Sequence, residues 1–256
     1  MIVILGDSWG VGEWGKNNSI TGPGIGQYFN LYGKVINLSE GGCSNTEQLI
    51  YFKNLLEKFT PEQHDVFYWI VTDPVRCFAR QNKITDLLID QSTLETAIRS
   101  TLDRFLNNVN TIAQQHSIKI NLIGGVCDLD TVDISKYSNL TIKVPSWGKL
   151  LDNTYASSIY DAGHIMNLGL LIKSTRPDLL DEWHLIADLA IKKADSWKQL
   201  FNKKLSNDSS HPNRYGHSIL SDLLYPTGKS VVNYHAATDA DRFEQLDGLH
   251  GVKVCS

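Results

Sequence analysis

Cysteine is scarce and scattered in this 256-residue chain. There are four, Cys43, Cys77, Cys127 and Cys255, with no CxxC pair and no Cys/His ligand spacing. No disulfide framework or zinc site is therefore expected, and the four are read as free thiols, which suits a reducing compartment. Basic charge is not in excess either: 24 Lys and Arg face 28 Asp and Glu, for a formal charge of -4. Without a basic stripe, nucleic acid has no electrostatic footprint to bind, and no polybasic patch marks a membrane surface. No apolar run approaches the ~20 residues that would span a bilayer. The opening Met1-Ile2-Val3-Ile4-Leu5-Gly6 has neither a basic n-region nor an export-length apolar stretch, so a cytoplasmic protein, or one without a Sec signal, is expected. Repeats, low-complexity tracts and linkers are also missing, so no domain boundary is drawn.

What is present is a globular composition, 42% apolar and 20% charged, in a chain long enough to close a core without staples. Ile2 to Leu5 is a short β-branched run closed by Gly6, as in a buried strand. Lys34 to Leu38 reads as a second strand, Asp65 to Val71 as a third, Ile118 to Gly124 as a fourth and Leu140 to Val144 as a fifth. The third is apolar almost throughout, as expected when both faces of a sheet are covered. Between them, helical spacing runs through Leu49, Ile50, Phe52, Leu55 and Leu56, and again from Leu94 to Gln115. This alternation predicts an α/β fold: a single doubly wound, flavodoxin-like parallel sheet with helices on both faces. Residues 145–177 break the rhythm and are read as an irregular insertion. A long helix is expected from Asp178 to Leu205, behind Pro177. The domain is taken as residues 1–228, with 229–256 a tail packed on it or extending from it.

In open parallel sheets, ligands sit beyond the carboxyl ends of the strands. Directly after the first strand comes Gly6-Asp7-Ser8-Trp9-Gly10, and near the other end stands Asp208-Ser209-Ser210-His211-Pro212-Asn213. Serine is a poor nucleophile unless a base takes its proton. An aspartate three residues before a histidine can fix the imidazole tautomer and leave the other nitrogen for that task.

Gly6-Asp7-Ser8 resembles the first block of the SGNH (GDSL-like) serine hydrolases, and Asp208-x-x-His211-Pro212-Asn213-x-x-Gly216-His217 resembles their last. Asn37-Leu38-Ser39-Glu40-Gly41-Gly42 is similar to the second block, where a glycine five residues beyond an asparagine donates its N–H. The three come in family order between Gly6 and His217. The resemblance implies a catalytic set of Ser8, Asp208 and His211, an oxyanion hole that includes Ser8 and Gly42, and no metal or organic cofactor. One block departs from the pattern. Where the family has Gly-x-Asn-Asp after the third strand, this chain has Ile70-Val71-Thr72-Asp73. Thr72 takes the position of the oxyanion-binding asparagine, with a hydroxyl that donates but reaches less far. Arg76, close by, is the alternative donor.

Trp9, Asp73 and Arg76 are candidate substrate contacts. Trp9, Trp14 and Trp147 offer either an aromatic wall for a sugar or acyl chain or ordinary packing. Asp7 is read as support for its turn, His217 as a helix-packing residue, and His164 and His184 as ordinary residues without metal-ligand partners. The expected activity is that of a serine esterase acting on a short-chain acyl ester, such as an O-acetyl group on a carbohydrate. The alternative is a catalytically weak carbohydrate-binding or structural module on the same fold. A nucleotide-binding flavodoxin-like protein is less well supported, because the first turn lacks a phosphate-cradling glycine pattern.

Overall fold

The computed structural model describes residues 1–14, 20–22, 24–74, 76–77, 91–125, 127–151, 211–212 and 214–226. Its centre is a five-stranded sheet of β1 (Ile2–Leu5), β4 (Val35–Asn37), β5 (Val66–Val71), β6 (Ile120–Gly124) and β7 (Leu140–Val144). Every pairing is parallel, in the order β4-β1-β5-β6-β7. A small antiparallel ribbon, β2 (Glu13–Trp14) with β3 (Ile20–Gly22), stands apart from it. The helices are α1 (Ser8–Val11), α2 (Ile25–Phe29), α3 (Asn45–Lys58), α4 (Gln91–Gln115), α5 (Trp147–Leu151) and α6 (Arg214–Leu224).

Alternation along the strands builds two cores. Val3, Leu5, Phe67, Trp69, Val71, Ile120 and Leu122 face one way, against Leu49, Phe52 and Leu56 of α3 and Leu102, Phe105, Leu106 and Val109 of α4. Ile2, Ile4, Tyr68, Ile70 and Ile123 face the other way, against Ile25 and Phe29 of α2, Trp147 of α5 and Leu220 of α6. A register shift at Leu122/Ile123 moves the β7 partner from Ile142 to Val144. Across it, Leu140 belongs to the first core and Val144 to the second.

The amphipathic α3 has a start that is legible in its letters. Ser44 Oγ accepts from the Glu47 N–H at 3.3 Å, and Glu47 Oε2 accepts from the Ser44 N–H at 2.8 Å. This capping box satisfies two backbone donors that the first turn leaves open.

The parallel sheet covered on both faces agrees with the expectation, and all five strands lie where the sequence pattern puts them. The helix expected from Leu94 starts at Gln91. Residues 147–151, expected within an irregular insertion, instead form the short α5, because Trp147 docks into the second core. Residues 152–177 of that insertion, the helix expected at 178–205, and the tail at 229–256 lie outside the described residues. So do Asp208, His164, His184 and Cys255. Among the described residues no helix is long and apolar enough to cross a membrane.

Candidate active site

The carboxyl ends of the strands converge on the turn after β1. Asp7 is the N-cap of α1: its Oδ1 accepts from the Trp9 N–H at 3.1 Å, and its carbonyl accepts from the Gly10 N–H at 3.0 Å. Ser8 is thereby the first residue of the helix, with 4% of its surface exposed. Two clips hold this turn from below. Gln48 of α3 accepts from the Gly6 N–H at 3.0 Å and donates to the Leu38 carbonyl at 3.2 Å, joining the exits of β1 and β4. Asn37 Nδ2 donates to the Gly10 carbonyl at 2.9 Å. A side chain at Gly10 would have its Cβ only 2.2 Å from Ser39 Oγ. The close approach of the β4 exit to α1 therefore requires glycine there.

His211 arrives from the far end of the chain. Its Nε2 lies 2.7 Å from Ser8 Oγ, across 203 residues of sequence. It stands just ahead of α6, which is fastened beside α1 by a row of buried rings. Trp9 meets Trp147 edge to face at 5.6 Å and 77°, and Trp147 meets His217 at 5.0 Å and 73°. The Trp147 Nε1–H donates to the Gly216 carbonyl at 3.3 Å. His217 is fully buried. Burial pushes its pKa down to about 3; the Gly12 and Pro212 carbonyls favour a proton on the ring, and His211 opposes one. Those carbonyls are near without completing a hydrogen bond, and neither ring nitrogen has a partner among the described residues.

The exit of β5 supplies the third side. Asn45, the first residue of α3, holds the Thr72 backbone with both ends of its amide: Nδ2 to the carbonyl at 2.9 Å and Oδ1 from the N–H at 3.1 Å. The Thr72 hydroxyl donates to Asp7 Oδ2, and Arg76 Nη1 donates to the same oxygen at 2.9 Å. This is an ion pair between a carboxylate with 0% exposure and a guanidinium side chain with 20%. Asp73 is fully buried, and its carbonyl accepts from the Arg76 N–H. Gly42 sits on an exposed turn at φ 75°, in the left-handed region that suits glycine.

Of the residues expected at the site, Ser8 and His211 are therefore in contact. Thr72 and Arg76 meet at Asp7. Trp9, a candidate substrate wall, is 2% exposed and spent on packing, as is Trp147 at 0%. Asp208 lies outside the described residues. Asn45 and Gln48 are site-supporting residues that the sequence motifs do not mark. The available signal was two amides on the buried stripe of α3, in line with Leu49, Phe52, Leu55 and Leu56. Buried polar groups need partners, so an amide on such a stripe marks a clip.

Nearby, Cys127 is a poor rival nucleophile. Burial, then the charges of Asp73 and Asp128, push its thiol well above the usual range. Among the described residues no cluster of His, Cys, Asp or Glu is arranged to hold a metal ion. No family model matches the chain, and no curated protein matches it.

Proposed function

We propose that this protein is a serine hydrolase that cleaves a short-chain acyl ester through an acyl-Ser8 intermediate. The observation that carries the reading is the 2.7 Å approach of His211 Nε2 to Ser8 Oγ, within the range a general base needs. With Nε2 turned to the serine, Nδ1 is the nitrogen left for an orienting carboxylate. Asp208, three residues earlier, takes that role in this proposal.

His211 accepts the Ser8 proton as Oγ attacks the ester carbonyl. The carbonyl π pair moves onto oxygen, and the backbone N–H groups of Ser8 and Gly42 stabilise the charge. Collapse expels the alcohol, which takes the proton from His211. Water, deprotonated by the same imidazole, then releases the carboxylic acid and restores Ser8. The order of the Gly6-Asp7-Ser8, Asn37-to-Gly42 and Asp208-to-His217 blocks, similar to SGNH hydrolases, supports the same reading. O-acetyl groups on a carbohydrate are the proposed substrate class.

Ser8→Ala and His211→Ala should each lower kcat on p-nitrophenyl acetate by about 10⁴- to 10⁶-fold without changing the fold. A fluorophosphonate probe should label wild-type Ser8 alone. Near wild-type turnover in Ser8→Ala would overturn the assignment. A series of p-nitrophenyl esters tests the substrate class, and preference for long acyl chains would remove it.

A further inference from the structure

We propose that Thr72 and Arg76 are positioning residues that act on Ser8 through Asp7, and that Thr72 is not an oxyanion donor. This rests on the hydrolase reading above. Asp7 Oδ2 receives both the Thr72 hydroxyl and Arg76 Nη1, while Oδ1 receives the Trp9 N–H. An ion-paired carboxylate only accepts hydrogen bonds, and a threonine hydroxyl has one proton to give. That proton is committed to Asp7 and is not available to charge developing on a substrate. Asn45 holds the Thr72 backbone on both sides, which fixes the point from which that hydroxyl reaches Asp7.

The physical effect falls on the nucleophile because α1 is only four residues long and Asp7 is its cap. So short a helix has few internal bonds, and the Asp7 cap is the contact adjoining Ser8 itself. A rotation of the Asp7 carboxyl shifts the Trp9 N–H that it binds, and Ser8 lies between the two. Small displacements of a reacting atom can cost about 100-fold in rate. The chain thus departs from the family's third block in a coherent way. The β5 exit holds the nucleophile's cap from beneath, and the oxyanion is left to backbone N–H groups.

A double-mutant cycle separates this from direct oxyanion binding. The variants are Thr72→Val, Arg76→Gln and Asp7→Asn, singly and paired, read by kcat and KM on p-nitrophenyl acetate, by the fluorophosphonate labelling rate and by thermal unfolding. Thr72→Val and Arg76→Gln should each lower kcat about tenfold with KM nearly unchanged, as expected when an interaction with the reacting centre alone is lost. Thr72→Ser and Arg76→Lys should restore most of the rate. In the Asp7→Asn background the charge and the ion pair are gone and a single amide oxygen is left to serve both Trp9 and Thr72, so Thr72→Val should cost less than about twofold more. Equal losses in both backgrounds would show Thr72 acting independently of Asp7 and overturn the proposal. A rise in KM confined to anionic esters in Arg76→Gln would overturn it too, making Arg76 a substrate anchor. Should Asp7→Asn not fold, the Thr72→Val/Arg76→Gln pair asks the same question at the shared oxygen, where strict additivity is the refuting result. A wild-type chain that neither labels at Ser8 nor hydrolyses esters sinks the hydrolase reading as well. Labelling with additive losses sinks this proposal alone.

Discussion

One face of the sheet is closed by α3 and α4, of 14 and 25 residues, while the described helices on the other face have 4, 5, 5 and 11. The long helices bury aliphatic and aromatic side chains in regular stripes, so their contribution comes from apolar area removed from water. The short ones bring Ser8, Trp147, His217, Ser218 and Ser221 into buried positions. They are held by a cap and a row of rings rather than by length. The lesson is a division of labour. The regular face closes the larger apolar core and reaches the site only through the amides of Asn45 and Gln48, whereas the irregular face carries the nucleophile on α1. Strained or polar features of that kind cost stability locally and persist because the rest of the fold over-determines them.

The comparison breaks most visibly with Leu106→Ala. Leu106 is fully buried on α4, so truncation should cost about 2–5 kcal/mol in urea unfolding. Ester hydrolysis per folded molecule should stay at the wild-type level. Loss of activity without loss of stability would erase the distinction between the faces.

Gly10→Ala probes the irregular face. The new Cβ would lie 2.2 Å from Ser39 Oγ and 2.8 Å from Ser39 Cβ. Overpacking of this kind costs about 1–3 kcal/mol, against the ~1 kcal/mol that alanine gains over glycine in a helix. Stability and kcat should fall together, since Ser8 is two residues away, and Ser39→Gly should recover part of both. An unchanged rate in Gly10→Ala would mean that α1 does not set the nucleophile.

His217 sharpens the comparison by pH. Its folded pKa of about 3 lies below the ordinary 6.5, so the buried ring is neutral while the unfolded chain takes up a proton below pH 6.5. Its contribution is fully present above that pH and is lost as pH falls from 6.5 towards 3. The loss reaches up to about 1.4 kcal/mol per pH unit. Relative to His217→Phe, which keeps a ring against Trp147, the wild type should lose stability along that slope. Parallel stability curves for the two proteins between pH 7 and 4 would contradict it.

Much of the architecture was legible because strand and helix periods differ. The run from Val66 to Val71 is apolar enough to need cover on both faces, and the Leu49-to-Leu56 spacing can only be helical. The Ser44–Glu47 pair that caps α3 is local in the same way. The short α5 was not legible, since five residues hold too little periodicity to declare a helix, and only the docking of Trp147 makes one. At the site, Ser8 and His211 were legible through their local motifs. Asp7 was read as a turn residue, and nothing in its neighbours shows that Thr72 and Arg76, 65 and 69 positions on, share one of its oxygens.

The amino-acid order by itself determined the five sheet strands and the two long helices, because hydrophobic period is local. It also nominated a hydroxyl and an imidazole, because short motifs are local too. Only the folded chain decided that these two meet at 2.7 Å, and that the threonine after β5 points its proton at a buried carboxylate. Contacts across dozens to hundreds of residues depend on how layers stack, and no short-range pattern records that.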